Sequence, residues 1–436
     1  MQHDIVVVGA GAAGLWCAAR LGELGARVLL LEKTPRAGTK VLASGGTHCN
    51  LTTTLGEREA ARLFGLRGER FLRHAFRVLP PRAVRDRFHE LGVPTVEAPL
   101  EKIFPASGRA RDVRDALLRW ALAHQVELRY EHSVRTIQPH ESGWMLEVEH
   151  TTSGQVSKVR APQLVLALGG KSYASTGTTG DAYAWLQALG LQLVTPVPAL
   201  VPLTSHTPWV VDLAGIALEQ AHARLVDRQG RLTAERARPV LFTHQGLSGP
   251  GAMDLSEPFA RAEVERRDCE VELCVDLVPQ HTQEALRERI LQASARPGAP
   301  QLARALELDL PRRVMDAALV QAGLATDVRA NAVPKPQRHA LSVVLKGLRV
   351  PIDGTRGFDW AEVTAGGLAL DEVEPGSCAV RGHPSLYVIG ELLDLQGPIG
   401  GLNFQAAFAT AEIAARACAD RLPKDHPPDD HFPARS

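Results

Sequence analysis

The spacing of apolar residues predicts a strand, a helix and a second strand at the start of the chain. Residues 4–8 (Asp-Ile-Val-Val-Val) are mostly β-branched, which is typical of a strand buried on both faces of a parallel sheet. Residues 12–24 follow a helical pattern that Gly25 interrupts, and residues 27–31 form another apolar run. The order predicts a βαβ unit at the beginning of an α/β fold.

The pattern further along predicts the rest of this fold and a long insertion within it. Outside the insertion, the expected elements are helices over about residues 57–124, strands near 126–149, and strands at 164–168 and 387–389 with a last helix over 403–418. Inside it, residues 191–278 have the short runs and Pro or Gly turns of strands. Residues 281–347 predict helices at 282–293, 301–305, 312–322 and 337–345.

The turn after the first strand carries a dinucleotide fingerprint. Gly9, Gly11 and Gly14 form G-x-G-x-x-G, in which the glycines permit a tight turn, a close approach of a pyrophosphate and close packing of the helix. The helix N-terminus offers unpaired N–H groups to phosphate. Glu32 ends the second strand, where a carboxylate can accept bonds from ribose hydroxyls. An acid here favours FAD or NAD over NADP.

Four further glycine-rich segments follow the fingerprint. They are Gly38–Asn50 (GTKVLASGGTHCN), Leu164–Asp181 (LVLALGGKSYASTGTTGD), Val363–Gly367 (VTAGG) and Leu386–Phe408 (LYVIGELLDLQGPIGGLNFQAAF). Together with the fingerprint, these segments resemble the marks of the aminoacetone-oxidase-like FAD-dependent oxidoreductases, which include the BaiN-type flavoproteins of the bile-acid pathway. This is a branch of the flavoproteins with two dinucleotide-binding domains. The resemblance covers most of the chain and implies FAD as the cofactor.

The resemblance implies a set of cofactor-binding residues drawn from these segments. They are Gly9, Gly11, Ala12, Ala13, Gly14, Glu32, Lys33, Lys40, Ser44, Gly45, Gly46, Cys49, Asn50, Val134, Ala167, Gly169, Gly170, Asp181, Gly390, Glu391, Gly400, Gly401, Leu402 and Asn403. In related flavoproteins a carboxylate at the position of Glu391 accepts a ribityl hydroxyl. The helix after Gly401 would face the O2/N1 edge of the isoalloxazine, where negative charge develops on reduction.

The chain departs from the family pattern at several positions. Thr47 and His48 replace a Gly-Arg pair, Leu168 replaces a Thr, Ala174 replaces a Pro, and Leu402 replaces a Tyr. The missing Arg and Tyr bear on the substrate rather than on the groups that hold FAD. Fumarate-reductase-type flavoproteins carry a His that helps to hold a dicarboxylate where this chain has Glu362, whose charge would repel such a substrate.

The expected architecture is α/β, with a discontinuous Rossmann-like FAD-binding domain, an inserted β-rich substrate domain and a small helical domain. We expect the FAD-binding domain to comprise residues 1–190 and 359–422, the β-rich domain residues 191–280, and the helical domain residues 281–358. A flexible tail is expected at 423–436. An inserted domain usually caps the substrate side of a flavin.

Catalytic groups are not fixed by these patterns, and three residues are candidates. His244 lies in a polar turn of the insertion and could exchange a proton near neutral pH. Tyr173 follows the strand that begins the second of these glycine-rich segments and could stack on or bond near the flavin, although a packing role is equally open. Cys49 has no second cysteine at disulfide-enzyme spacing, which favours a packed thiol over a reactive one.

Composition limits the remaining possibilities. The 436 residues carry 49 basic and 49 acidic side chains, and this balance argues against a protein that neutralises phosphates of nucleic acid. Six scattered cysteines and the absence of a secretion signal predict a reduced, cytoplasmic protein without a membrane partner. Sixteen histidines show no metal-ligand spacing, so no metal is expected.

The sequence therefore predicts an FAD-dependent oxidoreductase that transfers a hydride between flavin N5 and a small-molecule substrate or NAD(P)H. A single fingerprint, occupied by FAD, leaves NAD(P)H as a transient donor and leaves open whether the protein is an oxidase or a reductase. Two alternatives remain: a non-catalytic flavin redox sensor that docks to a partner, and a flavin-dependent RNA-modifying enzyme, which would need a basic face. The oligomeric state is not predicted.

Overall fold

The computed structural model describes residues 3–422, which form two compact units. The first unit combines three stretches of chain. One ends at Gly170, one runs from Thr176 to Thr195, and one begins at Gly366. The second contains Lys171–Ser175 and Pro196–Ala365. The predicted tail at 423–436 lies outside the described residues, and the proposed division into three domains stays a prediction.

The first unit contains the predicted βαβ start and the elements that complete its sheet. Its helices are α1 (Ala12–Glu23), α2 (Thr39–Ala43), α3 (Glu57–Arg62), α4 (Gly65–Val78), α5 (Pro81–Glu90), α6 (Ala110–Ala123), α7 (Asp181–Ala188) and α15 (Leu402–Ala419). Its strands are β1 (Ile5–Val8), β2 (Val28–Leu31), β3 (Thr52–Thr53), β4 (Thr95–Ala98), β5 (Lys102–Pro105), β6 (Glu127–Arg129), β7 (His132–His140), β8 (Gly143–His150), β9 (Val156–Ala161), β10 (Gln163–Leu166), β22 (Ala379–Val380) and β23 (His383–Val388).

A six-stranded sheet with the order β22-β23-β10-β1-β2-β6 organises this unit. The strand β1 lies between β10 and β2, with Val7 opposite Val165 on one side and Leu30 on the other. All neighbours are parallel except β22, which runs antiparallel to β23 at the edge. Every residue of β1, β2 and β10 is buried, because helices cover both faces of a parallel sheet.

The helices α1 and α15 pack against each other beside this sheet. Their rings Trp16 and Phe408 lie 4.9 Å apart between centroids. The buried carboxylate of Glu412 accepts hydrogen bonds from Trp16 Nε1 at 3.0 Å and from Arg20 Nε at 3.1 Å. Because α1 and α15 each follow a glycine-rich loop, this contact fixes the two loops relative to each other.

The second unit contains strands and helices around one hydrophobic core. Its strands are β12 (Leu203–Thr204), β13 (Ala217–Leu218), β14 (His222–Asp227), β15 (Leu232–Ala237), β16 (Val240–Thr243), β17 (Gly246–Ser248), β18 (Val271–Asp276), β19 (Leu348–Val350) and β20 (Gly354–Thr355). Its helices are α8 (Pro208–Val211), α9 (Pro250–Met253), α10 (Glu257–Val264), α11 (Gln283–Ser294), α12 (Leu302–Ala305), α13 (Arg312–Gln321) and α14 (Lys335–Lys346). The chain passes between the units within β11 (Leu193–Ala199) and β21 (Val363–Leu368).

Two antiparallel sheets build the second unit, with the orders β13-β16-β17-β12-β20 and β15-β14-β18-β19. The core contains Phe242 and Val275 from the two sheets together with Leu286 and Leu341 from α11 and α14. The strands and helices of the insertion thus share a core.

Most predicted elements are present, with one clear error in the first unit. The stretch 57–124, predicted as helical throughout, also contains the antiparallel pair β4 and β5. Both strands contain charged residues and are only partly buried, so they lack the continuous apolar run that marks the equally short β1 and β2. In the insertion, α10 and β15 were not predicted. Within residues 3–422, no helix is long and apolar enough to cross a membrane.

Candidate cofactor site

The glycine loop between β1 and α1 is tightly packed at its ends and open at its middle. Gly9 has φ +100°, and a Cβ there would lie 2.6 Å from the carbonyl oxygen of Ala167. A Cβ on Gly14 would lie 1.8 Å from the carbonyl oxygen of Gly9. A Cβ on Gly11 would meet no heavy atom within 4 Å. Gly9 and Gly14 are therefore required by packing, whereas Gly11 leaves room for a ligand.

Two helix N-termini have the properties of anion sites. Gly11 precedes α1 and Gly401, with φ +81°, precedes α15; neither helix has a side-chain cap or an acidic residue in its first turn. A Cβ on Gly401 would lie 2.1 Å from the carbonyl oxygen of Thr52, so only glycine fits this turn. The backbone N–H groups of both first turns can donate to an anion, whose negative charge the helix dipole stabilises. They include the N–H groups of Ala12, Ala13, Leu402 and Asn403.

The carboxylate of Glu32 links the end of β2 to the glycine loop. Its Oε2 accepts a hydrogen bond from Ala10 N at 2.8 Å, and its Oε1 accepts from Thr34 N at 2.9 Å and Thr34 Oγ1 at 2.8 Å. A carboxylate has about four accepting positions. One therefore remains for a ribose hydroxyl, which suits the predicted role of Glu32.

The neighbouring Lys33 forms an ion pair with Asp181, which lies 148 residues away. Lys33 Nζ donates to Asp181 Oδ2 at 2.6 Å and to Thr179 Oγ1 at 2.5 Å. Burial alone would raise the pKa of Asp181, but the hydrogen bonds from Lys33 and Thr179 and the charge on Lys33 outweigh it and lower that pKa. The pair fastens the start of α7 to the end of β2.

A second ion pair joins two other predicted segments. Lys40 Nζ donates to both carboxylate oxygens of Glu391, at 2.9 and 2.6 Å, and both side chains are about three-quarters buried. A Cβ on Gly169 would lie 4.0 Å from Glu391 Oε2, and one on Gly390 would lie 3.0 Å from Ala13 Cβ. These five predicted residues, drawn from four segments of the sequence, therefore lie together around the glycine loop.

The segment Ser44–Asn50 is a compact turn. Gly45 and Gly46 have φ +54° and +64°, and Ser44 Oγ donates to the carbonyl of Val41 at 2.7 Å. Asn50 Oδ1 accepts from the backbone N–H of Ile103 at 3.0 Å. Cys49 is completely buried, and that burial raises the pKa of its thiol to about 12, although the neighbouring Ser44 side chain lowers it. A neutral, inaccessible thiol is a poor nucleophile.

The loop before α15 is held by Asn403. Its amide donates to the carbonyl of Gly397 and accepts from the N–H of Gly397, both at 2.9 Å. Gly400 has φ +144°, and Leu402 is buried. These contacts give Asn403 a role in shaping the loop.

The structure places the remaining predicted residues in several parts of the two units. Val134 is buried in β7 opposite Val148, in a separate three-stranded sheet of the first unit. Ala167 and Gly170 are buried at the end of β10. His244 and Tyr173 belong to the second unit, where His244 is exposed in the turn between β16 and β17. Tyr173 has φ +58°, and its N–H donates to the carbonyl of Phe358 at 3.1 Å.

Three threonines that the sequence did not single out hold these loops. Thr34 donates two hydrogen bonds to the carboxylate of Glu32, and its position two residues after the acid could have suggested this role. Thr410 of α15 accepts from Gly390 N at 3.1 Å, and Thr364 accepts from the backbone N–H groups of Lys171 and Ser172. Nothing in the sequence near Gly390 identifies Thr410, because the two meet through packing.

The residues of the first unit fit FAD. Two uncapped helix N-termini suit its pyrophosphate and the reduced edge of its ring, the open side of Gly11 leaves space for phosphate, and Glu32 retains an accepting position for a ribose. No group of three or more His, Cys, Asp or Glu with the geometry of a metal site occurs among residues 3–422.

Comparison with known proteins supports this assignment. A family model described as the HI0933-like protein Rossmann domain matches residues 3–417. A protein of Escherichia coli (strain K12) named ribosomal RNA dihydrouridine synthase is 30% identical over 415 residues, which are 95% of this chain and 98% of that protein. The 3-dehydro-bile acid delta(4,6)-reductase of Clostridium scindens is 28% identical over 422 residues, covering 96% of this chain and all of that protein.

Solved structures share the fold at low identity. The 3-ketosteroid delta1-dehydrogenase of Sterolibacterium denitrificans, in complex with 1,4-androstadiene-3,17-dione, has a TM-score of 0.50 at 14% identity, covering 96% of this chain and 99% of that one. The apo Sdh1 complex of Mycobacterium smegmatis also has a TM-score of 0.50, at 15% identity, covering 97% of this chain and 69% of that one. The predicted α/β Rossmann-type fold, the FAD cofactor and the oxidoreductase class are confirmed, and the chain belongs to the HI0933-like Rossmann-domain family of FAD-dependent oxidoreductases.

Proposed function

We propose that this protein reduces a carbon–carbon double bond that is conjugated to a carbonyl group. The observation that carries the proposal is the shared chemistry of two relatives that match along almost their whole length. A dihydrouridine synthase saturates the C5–C6 bond of uridine, which is conjugated to the C4 carbonyl. A delta(4,6)-reductase of a 3-dehydro bile acid saturates a bond conjugated to the C3 ketone.

The two substrates require the same steps. A hydride adds to the carbon β to the carbonyl, electron density moves onto the carbonyl oxygen, and a proton adds to the α carbon. FAD held in this site would supply the hydride. The protein must then donate a hydrogen bond to the carbonyl oxygen and deliver one proton. Tyr173 and His244 stay candidates for these tasks on the chemistry of their side chains.

Residues of the first unit would hold the cofactor for this reaction. The N–H groups that begin α1 would bind the pyrophosphate, and those that begin α15 would stabilise negative charge on the reduced ring. Glu32 would accept from a ribose, and the Lys40–Glu391 pair would hold a carboxylate in place for a ribityl hydroxyl. A nicotinamide nucleotide, as a transient donor, would renew the reduced state.

The relatives suggest two classes of substrate, a uracil ring within RNA and a small 3-oxo steroid. The E. coli relative is named for the first and the C. scindens relative for the second. The reaction class is common to both, so it can be tested before the substrate is known.

The test is anaerobic reduction of the purified holoenzyme with NADH or NADPH, followed by addition of 2-cyclohexenone, a 3-oxo-Δ4 steroid, or ribosomal RNA lacking dihydrouridine. We expect the flavin absorbance near 450 nm to bleach with one nucleotide and to return with a conjugated acceptor, with a gain of two mass units in the product. Apoprotein provides the blank. Bleaching by neither nucleotide, or reoxidation by oxygen but by no conjugated acceptor, would refute the proposal and favour an oxidase.

A further inference from the structure

Charge within the second unit is strongly segregated, although its total is balanced. Residues 281–349, which contain α11–α14 and the first two residues of β19, carry eleven Lys and Arg against six Asp and Glu. The remainder of the unit carries ten Lys and Arg against fifteen Asp and Glu. The helical part thus has five excess positive charges, which the neutral charge of the whole chain conceals.

Several of these positive charges are held in place without being neutralised. Arg313 donates to the carbonyl of Asp212 at 2.7 Å, Arg329 to that of Ala299 at 3.1 Å, and Arg338 to that of Val333 at 2.9 Å. A carbonyl oxygen orients a guanidinium but carries no net charge, so the field of the arginine still reaches the solvent.

A continuous basic strip crosses α11 and α14. Arg287 Nη2 of α11 lies 3.1 Å from His339 Nδ1 of α14, and Lys335 is one helical turn before His339 on the same face. Arg287, Lys335 and His339 are exposed, and Arg338 is half-buried beside them. We call these four residues the α11–α14 strip.

Few acidic residues lie near this strip. The helix α14 contains none, while α11 contains Glu284 and Glu288. In the described part of the chain, neither Arg287 nor Lys335 forms an ion pair with a carboxylate. Both side chains can therefore take up an anionic partner without first breaking a salt bridge.

We infer that the α11–α14 strip binds the phosphate backbone of an RNA substrate. This rests on the proposed function, because a uracil ring within RNA arrives with a chain of phosphates whereas a steroid does not. Guanidinium and ammonium groups on one face suit phosphates spaced along a strand, and a strip of this kind supplies affinity without base contacts. The local excess of charge meets the requirement for a basic face that the overall composition failed to meet.

The test measures binding of a fluorescent single-stranded uridine-containing RNA by anisotropy, with intact FAD-loaded enzyme, at several salt concentrations. The variant Arg287→Gln/Lys335→Gln removes two phosphate contacts, each of which lowers the slope of log K against log salt by about 0.7. We therefore expect the slope to fall by about 1.4 and the affinity at 0.1 M salt to fall roughly 25-fold.

A matched control separates the strip from net charge. Arg228→Gln/Arg231→Gln removes the same charge from exposed positions in the acidic part of the same unit. We expect this variant to bind RNA within about twofold of wild type. Equal losses in both variants, or no loss in the strip variant, would overturn the inference, as would stronger binding of the strip to vesicles containing phosphatidylserine than to RNA.

Failure of the proposed function gives a different result. Reduction of 2-cyclohexenone requires no polymer contact, so it should be unchanged in both variants. If wild type binds RNA through the strip but reduces no conjugated bond, the proposed function fails and the inference stands. If conjugated bonds are reduced but wild type binds no RNA, the inference fails and the proposed reaction stands.

Discussion

The glycine loop allows packing and ligand binding to be separated by two substitutions three residues apart. At Gly14, an alanine Cβ would lie 1.8 Å from a carbonyl oxygen, and an ordinary contact requires about 3.4 Å, so the loop or α1 must shift by roughly 1.6 Å. Overpacking of this kind costs about 1–3 kcal/mol. At Gly11 the added methyl group meets nothing within 4 Å, and its φ of −78° is allowed for any residue.

The two variants should therefore fail in different assays. We expect Gly14→Ala to lose about 2 kcal/mol or more of unfolding free energy in urea, measured on apoprotein, and to bind FAD poorly. Gly11→Ala should remain within about 1 kcal/mol of wild type, since about 1 kcal/mol is the typical cost of an alanine N-cap. Its FAD affinity should fall at least about tenfold, equivalent to about 1.4 kcal/mol, because the methyl group occupies the path of the pyrophosphate.

Gly56→Ala provides the matched control. Gly56 is the N-cap of α3, also has a negative φ (−68°), and its Cβ would meet no atom within 4 Å. We expect this variant to match Gly11→Ala in stability and wild type in FAD affinity, measured by quenching of flavin fluorescence. Wild-type FAD affinity in Gly11→Ala would refute the assignment of this loop to the cofactor, and wild-type stability in Gly14→Ala would refute the packing argument.

Three further predictions concern side chains around the same unit. Glu412→Gln breaks a buried ion pair and weakens the bond to Trp16, so urea unfolding should show a loss of about 3 kcal/mol, and a loss under 1 would contradict this role. Tyr183→Phe removes a buried hydroxyl that has no hydrogen-bond partner among residues 3–422, so the melting temperature should stay unchanged or rise, and a clear fall would show that the hydroxyl is satisfied. Lys33→Met removes the partner that lowers the pKa of Asp181, so it should reduce stability at pH 7 by about 1 kcal/mol or less. This difference should vanish as the pH falls through the folded pKa of Asp181, because the protonated carboxyl gains nothing from Lys33. The prediction would be contradicted if the urea midpoints of wild type and variant stayed equally far apart between pH 7 and 3.

The local features of the fold could be predicted from the sequence, whereas its long-range contacts could not. The β1-α1-β2 start was predictable because apolar runs, glycine spacing and the acid at Glu32 are all local signals. The Lys40–Glu391 contact joins residues 351 positions apart and depends on how the sheet brings two loops together. Periodicity also missed β4 and β5, because they contain charged residues and lack the continuous apolar run of β1 and β2.

The candidate site shows the same division. Glycine motifs identified the segments of the candidate cofactor site, because glycine is the residue type that permits unusual backbone conformations. They did not identify Thr410, which meets Gly390 through packing. The basic strip was also missed. The net charge of the whole chain is zero, because the acidic excess elsewhere cancels the positive excess of residues 281–349, which contain eleven Lys and Arg.

The order of strands in the first unit has a consequence for biosynthesis. The strand β1 pairs with β10, which is made about 160 residues later, and β10 pairs with β23, made about 220 residues after that. The second unit lies between them in the sequence, so it leaves the ribosome complete while β10 still lacks β23 and α15. The edge of β10 is then exposed until β23 emerges. Loading of FAD must therefore await the synthesis of β23 and α15, and a chain cut short before β23 should yield a folded insertion attached to an aggregation-prone remainder.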